Sequence, residues 1–141
     1  LKERKQQFDE QIRIGIMIEI PAIALIADLA AEEVDFASIG SNDLTQYLSA
    51  ADRMNPEVAA YYKSDSTAML RLLGFVFREF SKREKEISVC GEMAGNPETA
   101  QLLVGLGARK LSMSSGNIAG VKAKLAECTL QELTALAEKK L

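Results

Sequence analysis

Histidine and tryptophan are both absent from the 141 residues. Without imidazole the chain cannot build a Ser-His-Asp or Cys-His catalytic pair, a histidine-based zinc site, or a phosphohistidine of its own. Cysteine is scarce: Cys90 and Cys128 are the only two, too few for a disulfide framework and, without histidine, too few for a tetrahedral zinc site. No apolar run reaches the length of a membrane span, so no membrane partner is expected and a cytoplasmic location is. Seventeen basic residues against 20 acidic ones leave a net charge of −3. With no basic patch interleaved with aromatics, nucleic acid is not an expected partner. The chain also lacks an initiator methionine. It opens Leu1-Lys-Glu-Arg-Lys-Gln-Gln-Phe-Asp-Glu10, charged and without the apolar core of a signal peptide, so a piece of a longer protein is expected.

What is present is ordinary for a folded domain, with 48% hydrophobic and 26% charged residues. Isoleucines at 12, 14, 16, 18 and 20 alternate with Arg13, Gly15, Met17 and Glu19, a period of two that predicts a strand. Pro21 stops it and opens an Ala- and Leu-rich helix over Pro21 to Ala31. Val34 to Ile39 reads as a second strand, ending at Gly40, so strand, helix and strand form a parallel βαβ unit. A polar stretch from Ser41 to Tyr47 and a loop through Arg53, Asn55 and Pro56 follow. A buried helix is predicted from Ser66 to Arg83, a third strand over Ile87 to Cys90, and a turn over Gly91 to Gly95. Asn96 and Pro97 start a helix that stops at Gly107. Lys110 to Met113 reads as a fourth strand, followed by a helix through Val121 to Leu125 and a last helix from Leu130 to Lys140, capped by Thr129. Four alternations of strand and helix mean an α/β fold with a parallel sheet, either doubly wound or a segment of a (β/α)₈ barrel.

In both architectures functional residues gather at the carboxyl ends of the strands. Those ends carry Glu19, then Ser41-Asn42-Asp43, then Cys90-Gly91-Glu92, then Ser114-Ser115. If the isoleucines pack on the outer helices, Glu19 points inward at the mouth, where Asp43 also opens. Two carboxylates suit a hard cation such as Mg²⁺; equally, Glu19 could pair with a base and Asp43 could cap a helix starting near Leu44. Cys90 reads either as a small packing hydrophobe or as an acid, since a free thiol is mostly protonated at neutral pH. Arg53 could grip phosphate or carboxylate through its guanidinium fork, or pair with Asp52 in solvent. Cys128, on a helix connection without polar company, reads as structural.

Three ordered segments carry a family resemblance. Gly15-Ile-Met-Ile-Glu19-Ile-Pro-Ala, Phe36-Ala-Ser-Ile-Gly-Ser-Asn-Asp43-Leu-Thr-Gln-Tyr47 with Ala51-Asp-Arg53-Met-Asn, and Cys90-Gly-Glu-Met-Ala-Gly95 resemble the successive motifs of enzyme I of the bacterial phosphoenolpyruvate:sugar phosphotransferase system. The resemblance runs from about Ile12 to the C-terminus. Pyruvate phosphate dikinase and phosphoenolpyruvate synthase are related, but the Glu-Met-Ala-Gly continuation is more similar to enzyme I. A nitrogen-branch paralogue or a multidomain phosphoryl transfer protein would carry it too.

The resemblance implies that residues 1–141 are the C-terminal part of a phosphoenolpyruvate-binding barrel, four of its eight βα units. Glu19 and Asp43 then match the Mg²⁺ ligands, and Asn42 with the Asp43 backbone matches the phosphate-holding group. Arg53 matches an arginine that binds phosphoenolpyruvate, and Cys90 the proton donor that completes pyruvate. The implied reaction passes the phosphoryl group to a protein histidine in an N-terminal domain that this chain lacks, which would also receive the phosphocarrier partner. Further phosphate-binding arginines of the family come from earlier strands, also outside this chain. After Tyr61-Tyr62 the family usually has a proline-containing segment, where this chain has Lys63-Ser-Asp-Ser-Thr-Ala68. The family dimerises through this barrel, so a homodimer is expected; the competing expectation is an isolated half-barrel that serves as an interaction module and catalyses nothing alone.

Overall fold

A computed structural model describes residues 2–4 and 6–141; Leu1 and Lys5, in the charged opening segment, lie outside the described residues. Three strands form one parallel sheet in chain order: β1 (Gly15–Ile18), β2 (Phe36–Gly40) and β3 (Glu86–Cys90). Helices α1 (Pro21–Leu25) and α2 (Ala27–Glu33) connect β1 to β2. Between β2 and β3 lie α3 (Ser41–Ser49), a 3₁₀ segment at Pro56–Tyr61, and α4 (Thr67–Lys82). Then come α5 (Glu92–Gly95), α6 (Pro97–Leu106), α7 (Ser115–Ala126) and α8 (Leu130–Glu138).

The register explains which way each side chain faces. Ile18, Ile39 and Val89 stand side by side across the sheet, as do Ile16, Ala37 and Ile87. These are the apolar positions of the alternation, and they meet Met69, Leu70, Leu73, Val76, Phe77 and Phe80 of α4 together with Leu103 of α6. At about 1.5–3 kcal/mol for each large side chain taken fully out of water, this contact is the main stabilising term of the fold. Of the five isoleucines, Ile16 and Ile18 therefore do pack on the helices, and the opposite face carries Met17, Ser38 and Ser88 in one row.

Local chemistry places the starts of α4, α6 and α8, with Asn96 and Thr129 capping as expected. Ser66 accepts from the Met69 amide at 3.3 Å and starts α4; Asn96 accepts from Glu98 and Thr99 ahead of Pro97; Thr129 and Glu132 cap α8 reciprocally. Buried Glu79 on α4 pairs with Lys82 and Arg83, and Arg83 reaches Glu32 at 2.8 Å, tying α2 to α4. At the amino ends of the strands, Arg13 and Lys110 converge on Glu86. Their hydrogen bonds, that of Lys110 foremost, hold the Glu86 carboxyl below the usual carboxylate range.

The structure corrects several boundaries. The first strand is four residues, not nine: Ile12 and Ile14 are exposed, and Asp35 closes the ladder, its amide donating to the Ile14 carbonyl and its carboxylate accepting from the Ile14 amide. The first helix breaks at Ile26, whose backbone leaves helical geometry. The polar stretch after Gly40 is a regular helix, α3, because buried Leu44 and Thr45 anchor one side of it. The expected turn at Gly91 to Gly95 contains one helical turn, α5. The fourth strand shrinks to a single parallel bridge, Leu111 beside Val89. Its two hydrogen bonds both go to Val89, and among the described residues no further strand pairs with its outer side. The observed fold is α/β with a small three-stranded parallel sheet.

Candidate functional site

On the polar face of the sheet, Ser88 Oγ donates to Ser38 Oγ at 3.0 Å and fills the middle layer. One layer further toward the carboxyl ends stand Gly40 and Cys90, paired across β2 and β3, with Glu19, the residue after β1, against Gly40. A Cβ placed on Gly40 would stand 3.0 Å from both Cβ and Oε2 of Glu19, so the carboxylate arm lies directly across the glycine. Among the described residues Glu19 has no ion-pair partner. Cys90 is partly buried, and its thiol donates to the Ile39 carbonyl at 3.4 Å.

Helix α3 begins where β2 ends, so Asn42 and Asp43 fall in its first turn. Gly40, at its N-cap, offers no side-chain acceptor to the opening amides. Asp43 is thus not the cap but an acid in the first turn, favourable to the helix dipole. Its carboxylate pairs with Arg53 at 3.2 Å, replacing the Asp52 pairing considered for Arg53; Asp52 instead accepts from the Met54 amide. The Arg53 amide donates to Gln46 Oε1 at 3.2 Å, which fixes the loop against α3.

The β2 and β3 ends are laced together. Ser41 Oγ donates to the Cys90 carbonyl at 2.6 Å, and Asn42 Oδ1 accepts from the Glu92 amide at 3.0 Å. Gly91 makes this possible. Its φ of +102° is a left-handed conformation, and a Cβ there would meet Ser41 Oγ at 2.5 Å and Asn42 Oδ1 at 2.8 Å. Beside it opens a hollow of about 380 Å³, bordered by Asn42, Cys90, Glu92, Ser112, Ser114 and Asn117. The Tyr62 hydroxyl donates to the Asn42 carbonyl at 3.1 Å. Burial pushes the Tyr62 phenol up; Arg53 opposes this, while Glu92 and Asp43 add to it.

The five residues singled out in sequence thus collect at one end of the sheet, with Asn42 and Cys90 on the hollow and Asp43 paired to Arg53. Tyr62, Ser112 and Asn117 escaped sequence reasoning. Nothing in local pattern separates Tyr62 from its exposed neighbour Tyr61, and Asn117 lies inside a helix. Cys128 stays apart, accepting from Gln101 Nε2 at 3.3 Å in a packing role. Among the described residues no group of three His, Cys, Asp or Glu side chains could enclose a metal. Glu19 and Asp43 are hard oxygen donors, the chemistry that Mg²⁺ takes alongside water and phosphate, and Asp43 is here paired with Arg53.

Residues 1–130 match the family described as PEP-utilising enzyme, PEP-binding domain. The chain belongs to this family. It corresponds to the C-terminal part of enzyme I, and its relatives include phosphoenolpyruvate-protein phosphotransferases. Multiphosphoryl transfer protein 2 of Escherichia coli (strain K12) is 45% identical over 139 residues, covering 94% of this chain and 17% of that protein. Phosphoenolpyruvate-protein phosphotransferase of Bacillus subtilis (strain 168) is 43% identical over 134 residues, 95% of this chain and 24% of that protein. The multiphosphoryl transfer protein of Xanthomonas campestris pv. campestris is 47% identical over 131 residues, 93% of this chain and 16% of that protein. The chain spans less than a quarter of the length of these relatives. Among its described residues no helix is long and apolar enough to cross a membrane.

Proposed function

We propose that the chain is the C-terminal half of a (β/α)₈ barrel that carries the metal and proton-donor part of a cytoplasmic phosphoenolpyruvate-protein phosphotransferase site. The observation that carries this reading is the meeting of Glu19, Asn42, Asp43 and Cys90 at the carboxyl end of one parallel sheet. The open edges support the barrel. About 250 residues close such a fold, and here β1 is an edge with Ile12, Ile14 and Met17 exposed beside it.

Each residue has a role that its geometry permits. The uncapped first turn of α3 presents backbone amides and the positive end of a helix dipole to the phosphate, beside the Asn42 side chain. Arg53 offsets charge on the phosphoryl group as its bond to the enol oxygen breaks and a bond to the histidine of another domain forms. Glu19 and Asp43 would hold Mg²⁺, which when bound supplies further charge neutralisation at the phosphoryl oxygens. Loss of the phosphoryl group leaves enolpyruvate, whose methylene carbon must gain a proton. Cys90, a donor at the edge of the hollow, supplies it and is left as thiolate until reprotonated by water.

The test is Cys90→Ser in the phosphotransferase that contains this chain. Phosphoenolpyruvate binding should persist while pyruvate release slows by about 10²–10⁴-fold, the usual contribution of a positioned acid. Equal loss of binding and turnover would remove Cys90 from the proton-donor role.

A further inference from the structure

The loop from Ala50 to Tyr62 leaves the carboxyl end of α3 and returns to its amino end, a distance of about 14 Å for nine helical residues at ~1.5 Å each. Arg53 rides on this loop. At the outgoing end the loop is fixed by the Ala50 and Ala51 amides on Gln46 and Tyr47 carbonyls and by the Arg53 amide on Gln46. Asp52 and Asn55 then fold it locally, accepting from the Met54 and Glu57 amides and leading into the 3₁₀ segment at Pro56. At the returning end, Tyr62 is half-buried and its hydroxyl donates to Asn42, 20 residues back in sequence. Tyr61, next to it, is 70% exposed.

Building on the proposed function, we infer that Tyr62 is a positioning residue for phosphoenolpyruvate. Its hydroxyl closes the loop onto the first turn of α3, so that Arg53 and the Asn42–Asp43 turn are presented as one rigid unit to the phosphate. The contact sits on the backbone of the very residue whose side chain holds the Glu92 amide. One hydroxyl therefore links the β2 end, the β3 end and the arginine loop. It touches no reacting atom; it acts through Asn42 and Arg53, and its loss should weaken binding of ground state and transition state alike.

The experiment is steady-state kinetics of the phosphotransferase that contains this chain, unmodified and as Tyr62→Phe, Tyr61→Phe, Arg53→Gln and the Tyr62→Phe/Arg53→Gln pair. Tyr62→Phe keeps the ring and removes only the donor. It should raise KM for phosphoenolpyruvate about five- to tenfold, the range expected for one lost hydrogen bond, with kcat within about twofold. Tyr61→Phe should leave KM unchanged. On the Arg53→Gln background, Tyr62→Phe should change KM by less than about twofold, because its target is already gone. A Tyr62→Phe enzyme with unmodified KM, or with the same proportional loss on the Arg53→Gln background, would overturn the positioning role alone. No phosphoenolpyruvate-dependent pyruvate release from the unmodified protein would overturn the functional reading and this inference with it.

Discussion

Gly40 provides the space in which the Glu19 side chain lies. A methyl group on its Cα would stand 3.0 Å from Glu19 Cβ and Oε2 and 3.4 Å from Met17 Sδ, closer than comfortable packing allows. The φ of Gly40 is −80°, an ordinary value for any residue, so the requirement for glycine comes from the neighbour and not from the backbone.

Gly40→Ala should therefore displace the Glu19 carboxylate without unfolding the protein. Overpacking of this kind costs about 1–3 kcal/mol. The expected outcome is a modest loss of stability in chemical denaturation together with a several-fold higher Mg²⁺ requirement for phosphoenolpyruvate turnover. Unchanged Mg²⁺ dependence would separate Glu19 from the metal.

Acid should destabilise the fold in a defined direction. Glu79, held foremost by its Lys82 hydrogen bond, and Glu86, held foremost by that of Lys110, both ionise below the ordinary value of 4.5. Above about 4.5 their stabilisation is fully present; as the pH falls through the depressed folded values, the unfolded chain takes up protons first and the stabilisation is lost. Thermal melts from pH 6 to pH 3 should show a falling midpoint. The slope should be shallower for Glu86→Gln, and an equal slope would exclude Glu86 as a contributor.

The 141-residue chain by itself should show the open edge of its sheet. Beside β1, Ile12 and Ile14 are 64% and 67% exposed, and an unpaired edge flanked by apolar side chains favours association. Gel filtration should give dimers or larger species, with little change on adding Mg²⁺ and phosphoenolpyruvate, and titration should show no saturable binding at submillimolar ligand. A monomer that binds phosphoenolpyruvate tightly would contradict the half-barrel reading.

The alternation of Ile16 and Ile18 with Gly15 and Met17, the Pro21 stop and the Asn96 and Thr129 caps were all legible in the sequence. Each is a local preference set by residues within one turn or one pleat of each other. Glu19, Asn42, Asp43 and Cys90 were legible as polar groups at strand ends, where a parallel α/β fold collects them, while the roles expected of them and of Arg53 came from the family resemblance. What lay beyond reach was pairing across distance. The nine-residue strand expected around the isoleucines shortened to four because no neighbour extends the ladder past Ile14, and Leu111 keeps only one bridge for a similar reason. The contacts of Asn42 with Tyr62 and Glu92, 20 and 50 residues away, exist only once the sheet has brought three loops to one end. By itself the sequence determined the order of strands and helices and marked candidate residues for chemistry. Only the tertiary structure decided which side chains meet, since a hydrogen bond of 3 Å depends on the path of the whole backbone and not on the pattern of any one segment.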